Sequence, residues 1–270
     1  MLRHVYTIGS DPELFLVNKK TGKIVSAIDK IPGYKDDPFT EGLPEGFGLQ
    51  TDNILAEFNI PPVTRCSDFV KHIEYMKEYI KNRVQEMDPN FDVLCQASSK
   101  VPRKELQHPQ AKEFGCDPDF CIYKDGPNPV TAATRTTLRS CGFHIHVGYE
   151  QNNIDTSLTM LRYIDAFVGI PSIIYDTDAE RRKLYGKAGC FRLQKYGFEY
   201  RTLSSYWIAN PTRLQFIWNQ VMWALHAFEN NYPLPSAETT QNVINNNDIE
   251  TAQLLIKEYS LIYPKNIKPE

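Results

Sequence analysis

The chain has 270 residues and a mass of 31.1 kDa, with 30 Lys+Arg against 33 Asp+Glu and 12% aromatic residues. That is enough apolar bulk for one large domain or two small ones, and it excludes a chain disordered throughout. A net charge of −3 excludes the whole-protein cationic field of a nucleic-acid coat or polybasic membrane binder, so any phosphate binding must come from a local patch.

In chain order, β-branched and aromatic segments predict strands over Val5–Ile8 and Leu14–Val17. A long irregular stretch follows from Asp29 to Gly48, rich in proline and glycine, of the kind that forms binding loops or lids. A strand over Ile54–Ile60 leads to a helix capped by Ser67, with Phe69, Ile73, Met76, Ile80, Val84 and Met87 at helical spacing. Phe91–Leu94 reads as a strand, Lys124–Ser140 as a second long loop, and Phe143–Val147 as a strand. A helix starts at an Asp155 cap, another strand covers Phe198–Leu203, and Asn210-Pro211 opens a helix with a cap followed by proline. A last helix follows Asp248. Strands mixed with helices and no βαβ rhythm predict an α+β fold whose helices back one face of a mainly antiparallel sheet.

No Ser/Gly linker divides the chain, so residues 1–235 are expected to form a single domain, with 236–270 as a helical extension packed on it. No apolar run approaches the roughly 18 residues of a membrane span, and Asp11 and Glu13 come before any targeting segment. A cytoplasmic protein without a membrane partner is expected. Six cysteines (Cys66, Cys95, Cys116, Cys121, Cys141, Cys190) lack a CxxC pair and read as reduced core residues.

The informative feature is a set of polar residues two apart inside otherwise apolar strands: Asp11 and Glu13, Glu57 and Asn59, His144 and His146, Glu199 and Arg201. Residues two apart share a strand face. One pair fits any strand with a wet face, but four pairs on neighbouring strands would line a single face with carboxylates, imidazoles and a guanidinium. Such carboxylates repel each other unless cations intervene, and carboxylates with imidazole suit Mg²⁺ or Mn²⁺. A second feature is the run from Arg181 to Lys195, where Arg181, Arg182, Lys187 and Arg192 alternate with glycines and aromatics as in a phosphate clamp. A clamp beside a metal-carboxylate face points to a nucleoside triphosphate; nucleic-acid phosphate is the competing ligand. There is no GxxxxGK[ST], no GxGxxG opening a helix and no GxSxG.

Gly9-Ser-Asp-Pro-Glu13, Leu55-Ala-Glu-Phe-Asn59, Gly115-Cys-Asp-Pro-Asp-Phe120, Cys141-Gly-Phe-His-Ile-His-Val-Gly148, Arg181-Arg-Lys-Leu-Tyr-Gly-Lys-Ala-Gly189 and Tyr196-Gly-Phe-Glu-Tyr-Arg-Thr-Leu-Ser204 carry a resemblance. Together they look like the phage-type carboxylate-amine ligases, the COOH.NH2 ligases of type 2, placed with the glutamine synthetase and glutamate-cysteine ligase superfamily. The resemblance implies a curved sheet forming a funnel, with helices on its outer face, ATP entering one end and two or three Mg²⁺ or Mn²⁺ ions midway. It implies metal ligands at Asp11, Glu13, Glu57, His144 and Glu199. ATP phosphates would meet Arg181, Arg182, Lys187 and Arg192. Arg201 would hold the substrate carboxylate or transferring phosphoryl group, and His146 would lie nearer the substrate. Asp117 and Asp119 are the candidates for accepting the amine proton. The implied reaction joins a small-molecule or peptide carboxylate to an amine through an acyl phosphate, in the host bacterial cytoplasm if phage-encoded. Nucleic acid would enter only as a modified-base substrate, and the oligomeric state is open. The rival readings are a metal-dependent hydrolase built on the His-x-His strand, which would work without ATP, and an inactive nucleotide- or nucleic-acid-binding relative.

Overall fold

One long strand, β1 (Tyr6–Asn18), is the spine of the fold. In its first half it pairs antiparallel with β4 (Leu55–Val63) on one side and β9 (Phe143–Tyr149) on the other. Its second half pairs with β2 (Lys23–Val25) and β5 (Phe91–Leu94). The strands expected on either side of Pro12 are therefore one. Pro12 has no N–H to give, and the ladder resumes at once with Glu13 N–H to the Gly142 carbonyl at 3.0 Å.

The computed structural model describes residues 2–112, 119–124, 126–128, 136–150 and 152–264. Among them is a nine-stranded sheet in the order β3 (Gly48–Asp52), β4, β1, β9, β11 (Gly197–Tyr200), β10 (Cys190–Gln194) and β7 (Phe120–Cys121), with β2 and β5 attached to β1. Every pairing in it is antiparallel. β6 (Ser98–Lys100) and β8 (Leu138–Ser140) form a separate ribbon. The fold is mixed, a large antiparallel sheet with helices, as the alternation predicts.

One face of the sheet is apolar. Ile8, Leu14, Ala56, Phe58, Ile60, Phe143, Ile145, Val147, Phe198 and Tyr200 are buried in one core with the helices. α1 (Cys66–Met87) supplies Phe69, Ile73, Met76, Ile80 and Val84; α5 (Pro211–Glu229) supplies Leu214, Ile217, Val221 and Leu225. α2 (Ile154–Ile164) runs through a π-helical turn, Asp165–Gly169, into α3 (Ile170–Ser172). α4 (Ala179–Leu184) follows, and α6 (Ala237–Asn246) and α7 (Ile249–Tyr259) pack against α3. Gln220 of α5 holds the C-terminal segment, its Nε2 donating to the carbonyls of Phe167 (2.6 Å) and Leu261 (2.9 Å). None of the described helices is long and apolar enough to cross a membrane.

Asn210 and Asp248 cap α5 and α7 as the sequence predicts. α2 is capped by Asn153, whose side chain accepts from Thr156 N–H at 2.9 Å, two residues before the expected Asp155. α1 starts at Cys66 with Arg65 at the N-cap position and no side-chain cap, in place of the expected Ser67.

Candidate active site

The opposite face of the sheet is polar, and strand register explains how. Gln50 lies across from Glu57, Glu57 from Glu13, Asp11 from His144, His146 from Glu199, and Glu199 from Arg192. Because side chains alternate, these residues share one face of five neighbouring strands plus the edge strand β3. The four polar pairs of the sequence thus come together, except that Arg201 stands just past the end of β11 and Asn59 is exposed at the rim.

At the centre, Asp11, His144 and Glu199 each offer one donor atom, all within 4.8 Å of one another. His144 Nδ1 is 3.1 Å from Asp11 Oδ1 and 3.4 Å from Glu199 Oε1. Neighbouring ligands of an octahedral Mg²⁺, at roughly 2.1 Å from the ion, stand about 3 Å apart, so the donor set fits a hard divalent cation. Its protonation also fits. Burial, followed by the Arg201 guanidinium, pushes His144 down to about 3, leaving a neutral imidazole with a lone pair to give. Burial works against ionisation of Asp11, but the imidazoles of His146 (Nε2 at 3.0 Å) and His144 overcome it and hold Asp11 below the usual carboxylate range.

Glu13 and Glu57 sit beside this centre. Glu13 Oε2 accepts the Gly142 N–H at 2.5 Å, and burial, with Asp52 next in weight, raises its carboxyl to about 7. Glu57 accepts from Gln50 Nε2 at 2.8 Å and is raised well above its ordinary value by burial and by Asp52, Asp11 and Glu13. A carboxyl raised in the folded state binds its proton more tightly there, so its stabilising contribution is lost as pH climbs through the folded value. The depressed His144 acts in the opposite sense, and its contribution is complete above about pH 6.5. Between about pH 6.5 and 8 the melting temperature in EDTA is therefore expected to fall, and Mg²⁺ or Mn²⁺ should flatten the slope. A midpoint in EDTA that rises over this range by thermal-shift fluorimetry would contradict it.

The basic stretch departs from expectation. Arg181, on α4 and 2% exposed, donates Nη1 to the Thr202 carbonyl (2.6 Å), Nη2 to that of Leu203 (2.7 Å) and Nε to that of Cys141 (3.3 Å). It is a backbone clamp in place of the expected phosphate clamp, because all three of its donor nitrogens are taken by main-chain carbonyls in a dry interior. Arg182 is buried as well and reaches Asn247 at the end of α6, with Nη1 3.4 Å from Oδ1. Lys187 is exposed in the turn before β10, and Arg192 Nη1 lies 3.9 Å from Glu199 Oε2 on the polar face. Arg201 is buried; its Nη1 pairs with Glu199 Oε1 and lies 3.3 Å from His144 Nδ1. Asp119 Oδ2 is 4.0 Å from Arg201 Nε. Asp117, with most of the Gly115–Phe120 motif, lies outside the described residues.

Three further residues belong to the site and were not singled out from the sequence. Asp52 on β3 shares the face of Gln50 and raises both Glu13 and Glu57; its signal was the same two-residue spacing, in Gln50-Thr-Asp52. Tyr185 accepts the Nε–H of Arg201 at 2.5 Å, with the guanidinium 5.3 Å from its ring centre. Tyr196 stacks on His146, its hydroxyl against Nδ1. No sequence signal distinguishes these tyrosines from packing aromatics.

Residues 115–247 match the profile of the family described as phage phiEco32-like COOH.NH2 ligase-type 2, in agreement with the resemblance carried by the motifs. Its name denotes a carboxylate-amine ligase. No curated protein matches the chain.

Proposed function

Over residues 115–247 the chain belongs to the COOH.NH2 ligase-type 2 family, and from that premise we propose that it is an ATP-dependent, metal-assisted ligase forming an amide through an acyl phosphate. The observation that carries the reading is the convergence of Asp11, His144 and Glu199 on the polar sheet face, flanked by Glu13 and Glu57 on one side and Arg192 and Arg201 on the other.

A carboxylate is a poor electrophile at neutral pH. Phosphorylation by ATP makes it an acyl phosphate, and an amine then attacks the carbonyl carbon with loss of phosphate. Positioning and charge neutralisation do most of the work in the first step. Asp11, His144 and Glu199 would hold one divalent ion, and Glu13 with Glu57 a further one; a bound ion would neutralise phosphate oxygens. Arg192 and Lys187 are proposed to meet the triphosphate. Arg201, steadied by Tyr185 and Glu199, is proposed to hold the carboxylate being activated. Asp119 stands beside it to accept the proton of the attacking amine. His146, held between Asp11 and Tyr196, presents its ring toward the substrate side. The acid and the amine are proposed to be small molecules or peptides.

The test is ADP release from Mg-ATP or Mn-ATP over pooled carboxylates and amines. Release that requires a metal, an acid and an amine is the expected result. A protein that binds no nucleotide in the presence of metal would refute the ligase reading and favour a hydrolase.

A further inference from the structure

β7 and β10 meet through two register pairs, Cys121 with Cys190 and Phe120 with Phe191. Ile122 N–H donates to the Gly189 carbonyl at 3.0 Å, which makes 122/189 a hydrogen-bonded position and the adjacent cysteine pair a non-hydrogen-bonded one. At such positions the facing Cα atoms lie about 4.5 Å apart with side chains on one face, within the roughly 4.4–6.8 Å that a disulfide spans. The strands are pressed together here. Gly189 (φ 66°) leaves no room for a Cβ, which would stand 2.6 Å from Ile122 Cγ1 and 2.8 Å from the Tyr123 ring.

Both cysteines are buried free thiols with weak partners: Cys121 Sγ donates to the Ala188 carbonyl, and Asn128 Nδ2 donates to Cys190 Sγ, each at 3.4 Å. Little hydrogen bonding is given up if the sulfurs turn toward each other.

We propose that Cys121 and Cys190 form a reversible thiol-oxidation site, joined as a cross-strand disulfide by exchange with a low-molecular-weight disulfide such as oxidised glutathione. One cysteine thiolate attacks the small disulfide and expels a glutathione thiolate; the second cysteine attacks the mixed disulfide and expels the other. Two protein thiols are oxidised, one small disulfide is reduced to two thiols, and the two protons go to the leaving thiolates. The bond ties the edge strand β7 to β10. Asp119, two residues before Cys121 on the same face, is thereby fixed near Arg201, whose N–H donates to the Cys190 carbonyl at 2.9 Å. The chemistry goes beyond the ligase reading and does not depend on it.

The full-length protein would be incubated with oxidised glutathione, unfolded and titrated for thiols. The count should drop from six to four, peptide mapping should join Cys121 to Cys190, and dithiothreitol should restore six. Hydrogen exchange at the Ile122 amide should slow in the oxidised protein. Cys121→Ser and Cys190→Ser should form no internal disulfide, with any glutathione adduct visible as added mass. Six free thiols after oxidation, or a linkage mapped to Cys116 or between Cys95 and Cys141, would overturn the proposal.

Discussion

Glu199→Gln is expected to lower metal-dependent ADP release by about a thousandfold or more while leaving the protein folded. Glu199 is 1% exposed and has two jobs on the polar face. Its Oε1 pairs with Arg201 and faces His144 Nδ1, while Oε2 accepts from Gln194 Nε2 at 3.3 Å and lies near Arg192. Glutamine keeps the volume but removes the negative charge that a divalent ion would bind, and it leaves two guanidiniums beside a neutral amide. Loss of a buried counter-charge costs a few kcal/mol of stability. Three readouts separate the effects: ADP release, Mn²⁺ titration by calorimetry, and the melting temperature. Wild-type turnover in the variant would remove Glu199 from the reaction.

A loss of stability with no specific loss of phosphate affinity is the expected result of Arg181→Ala. The guanidinium serves three carbonyls; those of Cys141 and Leu203 also accept from Ser205 N–H and Phe143 N–H, each at 3.1 Å, so its removal orphans the Thr202 carbonyl, at a cost of roughly 1–3 kcal/mol. With the cavity added, roughly 2–4 kcal/mol should be lost, a large share of a typical domain's stability. Arg181→Lys should recover little, since one ammonium does not span the Cys141, Thr202 and Leu203 carbonyls. Gly186 belongs to the same arrangement: its left-handed turn (φ 71°) lays the chain directly on the guanidinium, where a Cβ would collide. Urea denaturation of both variants gives the answer. A stably folded Arg181→Ala protein with weakened nucleotide binding would restore Arg181 to the phosphate.

The difference between these two residues shows what the sequence could reveal. Asp11, Glu13, Glu57, His144, His146 and Glu199 were legible because a strand's two-residue period is local, and each lies among apolar neighbours that declare the other face. Their meeting needed strand order, which is not local, yet polar faces on adjacent strands have few other ways to be hydrated together. Arg181 and Arg182 show that charge type says nothing of direction. They lie on a short helix capped by Asp178, and that helix turns one guanidinium into the strand ends and the other toward α6. β10 was hidden in the same stretch, its alternation of Phe191 and Leu193 with Arg192 and Gln194 masked by the density of charge. β3 and Asp52 lie just past a long loop whose glycines and prolines hide the start of the strand.

The partners that face the acidic residues of β1 from β9 are far away along the chain. Gly142, whose N–H binds the Glu13 carboxylate, lies 129 residues downstream, and Glu199 further still. During synthesis on the ribosome, the first strand emerges with its acidic residues long before the imidazoles and guanidiniums that will face them. No N-terminal piece ending before β9 can assemble the candidate cation centre of Asp11, His144 and Glu199, however well α1 packs on β4 and β5. Two halves of the chain, made separately and mixed, should gain Mn²⁺ affinity only on reassociation, because the centre is shared between the beginning and the end of translation.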